Sequence, residues 1–164
     1  MARWLIILAL LLTGGCGYHF PGEQAAYPSW VHNASLRVEN QDSWENPSMA
    51  RHLEYRLRKK LGVDSVSRNG REIVVTLLPR KDSVLTVKNT GLASRRQIIL
   101  YANLSVKEGE QRVGPVLAPV EGRALFSESP GSSPMQSRIG SEDAESEAVD
   151  RLTEGIASVL AAIP

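Results

Sequence analysis

The clearest pattern in the chain is a strict alternation from Ile98 to Val106. Ile98, Leu100, Ala102, Leu104 and Val106 fall on one side and Ile99, Tyr101, Asn103 and Ser105 on the other, the period of a strand with one buried face. A shorter alternation, Leu36 and Val38 among Ser35, Arg37 and Glu39, predicts a first strand. From Asn46-Pro47 the period changes. Asn caps, Pro takes the first turn, and Ala50, Leu53, Leu57 and Leu61 recur at helical spacing until Gly62 ends the helix. Arg56, Arg58, Lys59 and Lys60 place cations at its negative end.

Arg71 to Leu78 is nearly continuous in apolar residues, which predicts a central strand. Extended character resumes from Ser83 to Val87, so Pro79 to Asp82 reads as a bulge or bend in one long strand. Lys88-Asn89-Thr90-Gly91 supplies the turn before the Ile98–Val106 strand, and Lys107 to Arg112 the turn after it. Val116 to Phe126 is a fourth strand, bent or placed at an edge by Pro115 and Pro119. Ser127 to Gly140, rich in Ser, Pro and Gly, reads as a mobile loop. Ser141 then caps a closing helix with acids in its first turns and Ala148, Leu152, Ile156, Val159 and Leu160 as its buried stripe. The order β-α-β-β-β-α predicts an α+β two-layer sandwich: a four-stranded mixed sheet with two helices on one face and the other face left for solvent or a partner.

The N-terminus follows different rules. Arg3 precedes an apolar run from Trp4 to Leu12, far short of the roughly 20 residues that span a bilayer, and Thr13-Gly14-Gly15-Cys16 has the small residues of a processing site. Residues 1–15 therefore read as a signal peptide and the segment resembles a lipobox, with S-diacylglyceryl and N-acyl groups expected on Cys16. Thr13 departs from the usual aliphatic residue three before the cysteine. The chain has one cysteine, so neither a disulfide nor a thiolate metal site competes for it. Gly17 in place of Asp favours the outer membrane by resemblance to lipoprotein sorting. Residues 16–32 read as a lipidated tether and residues 33–164 as one domain.

Charge then narrows the partners. Of 19 bases, loss of Arg3 leaves as many as the 18 acids, so no bulk electrostatic partner is implied, and nucleic acid is excluded by balance and compartment alike. His19, His32 and His52 lack metal-ligand spacing, and no nucleophile elbow, P-loop or dinucleotide fingerprint is present. No enzyme, metal or cofactor beyond the covalent lipid is expected.

The run Cys16-Gly17-Tyr18-His19-Phe20, the helix from Pro47 to Leu61 with its Ala-Arg-x-Leu-x-x-x-Leu sequence, the hairpin around Lys88 and the closing helix together resemble the LptE family of lipopolysaccharide-assembly lipoproteins. The resemblance implies a non-catalytic protein that plugs the lumen of the outer-membrane barrel LptD and supports delivery of lipopolysaccharide to the outer leaflet. It also implies lipopolysaccharide contact by basic residues of the hairpin and of the segment before the last helix, which points to Lys88, Arg95, Arg96 and Arg138. Solvated charges that guard strand ends are the competing reading of these residues. The alternative function is another outer-membrane lipoprotein, a periplasmic scaffold or binding module for an envelope complex.

Overall fold

The structure, a computed structural model, describes residues 27–41, 47–63, 70–86, 94–113, 118–128 and 133–163. Three helices, α1 (Ser29–His32), α2 (Pro47–Leu61) and α3 (Pro134–Ala161), accompany six strand segments. These are β1 (Ser35–Asn40), β2 (Arg71–Leu77), β3 (Lys81–Thr86), β4 (Ser94–Glu108), β5 (Gln111–Val113) and β6 (Val120–Glu128).

The expected two-layer α+β sandwich is present, with more segments than the four strands expected. β4 is the organising strand. On one side it pairs with β2 through its C-terminal half and with β3 through its N-terminal half; on the other it pairs with β5 and β6 in the same sequence. The six segments thus fill four strand positions, because β2 and β3 are one strand interrupted at Leu78–Arg80. Leu77 faces Ala102 and the Leu78 N–H still donates to the Tyr101 carbonyl at 2.9 Å, yet Lys81 faces Ile99, a slip of one residue. Pro79, which has no N–H for the ladder, sits in that slip, and the bulge read from the sequence has this cause. β1 runs parallel to β2, a pairing that needs the crossover supplied by α2.

The core lies on one sheet face. Ile98, Leu100, Ala102, Leu104 and Val106 of β4 and Ile73, Val75 and Leu77 of β2 join Leu53, Leu57 and Leu61 of α2 and Leu152, Ile156 and Leu160 of α3 in a single buried cluster. α3 lies very close on β6. A Cβ at Gly122 would run into the Ala148 carbonyl oxygen and lie 2.7 Å from the Leu152 nitrogen, so only glycine lets helix and strand meet here. The helices also complement one another in charge: Lys60 pairs with Glu154 at 2.8 Å and Arg56 with Asp150 at 3.3 Å. Such exposed pairs contribute at most about 1 kcal/mol each.

Three expectations are corrected. The closing helix begins at Pro134, not at Ser141. Ser133 is its cap: the Gln136 N–H donates to Ser133 Oγ and the Ser133 N–H to Gln136 Oε1, with Pro at the first position. This capping box outweighs the loop-like composition of the segment. Second, β4 extends to Glu108, and the turn that follows is only Gly109 and Glu110 before β5. Gly109 takes φ +62°, open to glycine at little cost, so the hairpin closes in two residues. Third, the end of the tether segment packs. Tyr27 and Val31 are buried in the core, α1 is helical, and Arg71 stacks its guanidinium 5.5 Å from the Trp30 ring centroid. The signal segment, Cys16 and the turn at Lys88 lie outside the described residues.

Candidate functional site: the open face of the sheet

Alternation along β4 that sends Ile98, Leu100 and Leu104 to the helices sends Ile99, Tyr101, Asn103, Ser105 and Lys107 to the opposite face, and no described helix covers them. Val74 shows the division: it is buried, yet it stands outside the core cluster that holds its neighbours Ile73 and Val75.

Cross-strand register places the remaining side chains of this face. Lys81 and Arg123 flank Ile99, Ser83 and Leu125 flank Gln97, and Leu85 and Ser127 flank Arg95. The Lys81 ammonium lies 5.2 Å from the Tyr101 ring centroid, a cation–π contact. Arg123 pairs with Glu121 at 2.7 Å and Arg37 with Glu39 at 3.0 Å, each along its own strand. The apolar members are not withdrawn: Leu125 is 54% and Leu85 43% exposed.

The cations chosen from sequence do not form one cluster. Consecutive strand residues point to opposite faces, so Arg95 stands on the open face while Arg96 lies on the helix side, opposite Val84 and Phe126. Arg138 is on the first turns of α3, on the same side as Arg96, because Gly140 of that helix lies against the Phe126 ring. It is held by Glu142 at 2.8 Å, one helical turn on, and this hydrogen bond raises its already high pKa. Lys88 is outside the described residues. Reading by type and segment missed Lys81 and Arg123; the alternation around Ile99 and Tyr101 was the signal that could have found them.

Two other polar groupings are structural. Arg80 bridges β3 and α3, donating to both carboxylate oxygens of Asp82 at 2.7 and 2.8 Å and to Glu145 at 2.7 Å. The Arg80 guanidinium holds the Asp82 carboxyl below the usual carboxylate range, with Arg96 adding a smaller pull. Between α2 and α3 a groove of about 470 Å³ is lined by Arg56, Lys59, Lys60, Asp150, Thr153 and Glu154, and the two inter-helix ion pairs span it. Thr153 is satisfied within its own helix by the Val149 carbonyl at 2.8 Å. Among the described residues no group of three or more His, Cys, Asp or Glu could hold a metal ion, and no helix is long and apolar enough to cross a membrane.

No protein-family model matches the chain, and no characterised protein matches it by sequence. Its fold is shared with solved structures. A minor lipoprotein from Acinetobacter baumannii aligns with a TM-score of 0.50 at 15% identity, over 80% of this chain and 95% of that one. The rare lipoprotein B from Shewanella oneidensis aligns with a TM-score of 0.50 at 14% identity, over 76% of this chain and 95% of that one. At such identities the likeness is one of fold.

Proposed function

We propose that this chain is an envelope lipoprotein, lipidated at Cys16 and held at the outer membrane, that plugs an LptD-type barrel and supports assembly and translocation of lipopolysaccharide without catalysis. The observation that carries the reading is Cys16-Gly17-Tyr18-His19-Phe20 behind a short apolar leader, on a chain whose fold is shared with two proteins named as lipoproteins. The uncovered sheet face supports it, since a protein enclosed by a barrel needs outward surfaces that meet a polar lumen.

The ends of the domain differ in a way that suits this role. The described residues begin at Tyr27, whose hydroxyl pKa is raised chiefly by burial and which also feels the charges of Lys60 and Glu154 toward the C-terminal ends of α2 and α3. Arg138 lies sixteen residues before Glu154 on the same helix, about 24 Å away at 1.5 Å per residue. Arg96 and Arg138 accordingly lie toward the end away from Tyr27, and we assign lipopolysaccharide contact to that end, with Lys88 and Arg95 added on the resemblance alone.

Purification of the lipidated, tagged protein from outer membranes in mild detergent tests the reading. One large barrel at one to one is the expected result. Recovery alone, or with soluble or inner-membrane partners only, contradicts it and favours a scaffold. Lys88→Glu combined with Arg138→Glu should weaken lipopolysaccharide binding about ten-fold or more and leave the melting temperature unchanged; unchanged binding at moderate salt removes the contact assignment.

A further inference from the structure

We infer that the open face of the sheet is a docking surface for a carboxylate-rich protein surface, which, resting on the reading above for the partner's identity, is the wall of the barrel. Among the described residues this face carries six cations, Arg37, Lys81, Arg95, Lys107, Arg112 and Arg123, against three acids, Glu39, Glu72 and Glu121. Two of the acids are already taken by Arg37 and Arg123. No ion pair holds Lys81, Arg95, Lys107 or Arg112 among the described residues, so the surplus is positive and available. The helix layer carries no net surplus: α2 is basic and α3 acidic, and two ion pairs, Arg56–Asp150 and Lys60–Glu154, join them.

The distribution of the free cations identifies the class of partner. Arg95 and Lys107 are twelve residues apart on β4, about 40 Å at 3.3 Å per residue. Between them the face presents Ile99, Tyr101 and, on a flanking strand, Leu125, with Leu85 beside Arg95. A phosphate-bearing headgroup is bound by converging cations. Single cations dispersed over a broad face around apolar residues instead match a protein surface with scattered carboxylates. Three to four strands spaced about 4.8 Å apart, along a strand of this length, offer on the order of 700 Å², close to the ~800 Å² that each partner gives to a stable interface. The distributed charge steers and orients the encounter, while the apolar centre supplies the contact that excludes water.

The test uses the full-length lipidated chain in cells, with photoactivatable benzoylphenylalanine at Gln97 or Asn103 on the open face, or at Tyr55 on the outer surface of α2. Open-face probes should cross-link to the barrel, at peptides containing Asp or Glu. Lys81→Glu with Lys107→Glu and Arg112→Glu should cut the yield at least ten-fold with the melting temperature preserved. Arg51→Glu with Lys59→Glu and Arg151→Glu on the helices should leave it unchanged. The inference is overturned by cross-links from Tyr55 alone, by yields indifferent to the open-face reversal, or by open-face adducts of lipid mass only. If no barrel is recovered but the open face cross-links to acidic peptides of another protein, with the same loss on reversal, the plug reading fails and the docking surface stands.

Discussion

The two faces of β4 are built from the same fifteen residues and behave oppositely. On the helix side every alternate residue from Ile98 to Val106 is buried, and Gly122 of the neighbouring strand brings α3 down almost to backbone contact. On the other side Ile99, Tyr101, Ser105 and Lys107 are half-buried and Asn103 is exposed, with nothing but neighbouring side chains around them among the described residues. One face obtains its stability from dispersion and area removed from water; the other holds apolar and cationic groups that the inferred docking would desolvate. Substitutions on the first should therefore be read out in folding, and substitutions on the second in association.

The largest effects separate the faces. Gly122→Val should prevent α3 from seating and abolish cooperative unfolding, and Leu152→Ala should lower stability by about 2–5 kcal/mol, seen in chemical denaturation of the protein. Comparable losses from Leu125→Ala, three residues along the strand from Gly122 and on the open face, would break the distinction.

A smaller effect sharpens the boundary between them. Asp82→Asn should cost at most about 1 kcal/mol near neutral pH, because both members of the Arg80 pair are partly exposed. Its sign with pH follows from the lowered carboxyl: the stabilisation is full above the ordinary carboxylate range and is lost as pH falls through the depressed value, below about pH 4. Urea midpoints measured from pH 6 to pH 2.5 should fall more steeply in the natural protein than in the variant.

Ser133→Ala, which removes the cap of α3, should cost about 0.5–1 kcal/mol. Since the early turns of this helix are exposed, with Met135 72% accessible, the loss should show as fraying in amide exchange near Arg138 more than in the global midpoint. Least of all, Leu125→Ser should change stability by no more than about 0.5 kcal/mol.

These two faces also explain what was legible in the sequence. Alternation in β4, the spacing of Leu53, Leu57 and Leu61, and the stripe at Leu152 and Ile156 report burial directly, and the elements built on them stand where expected. Pro79 marked the interruption between β2 and β3, because a missing N–H acts locally. The start of α3 was obscured because its first turns bury little, which leaves the Ser133–Gln136 capping box and Pro134 as the signals against a serine-rich background. Likewise, Gly109 and Glu110 close a hairpin whose second strand is three residues long, too short for any period to register. For the candidate site, residue type alone put Arg95 and Arg96 together; their parity on β4 separates them, and the fold joins Arg95 instead to Lys81 and Arg123. Which cations share a face depends on strand pairing, which a single chain's pattern does not specify.

If the fold closes one face and a partner the other, hydroxyl-radical footprinting of the lipidated protein, free and in the complex recovered from membranes, will show it. Tyr101, Leu85 and Leu125 should lose reactivity in the complex while Tyr55 on α2 keeps it. Protection of Tyr55 with Tyr101 and Leu125 still reactive would instead put the partner on the helix layer.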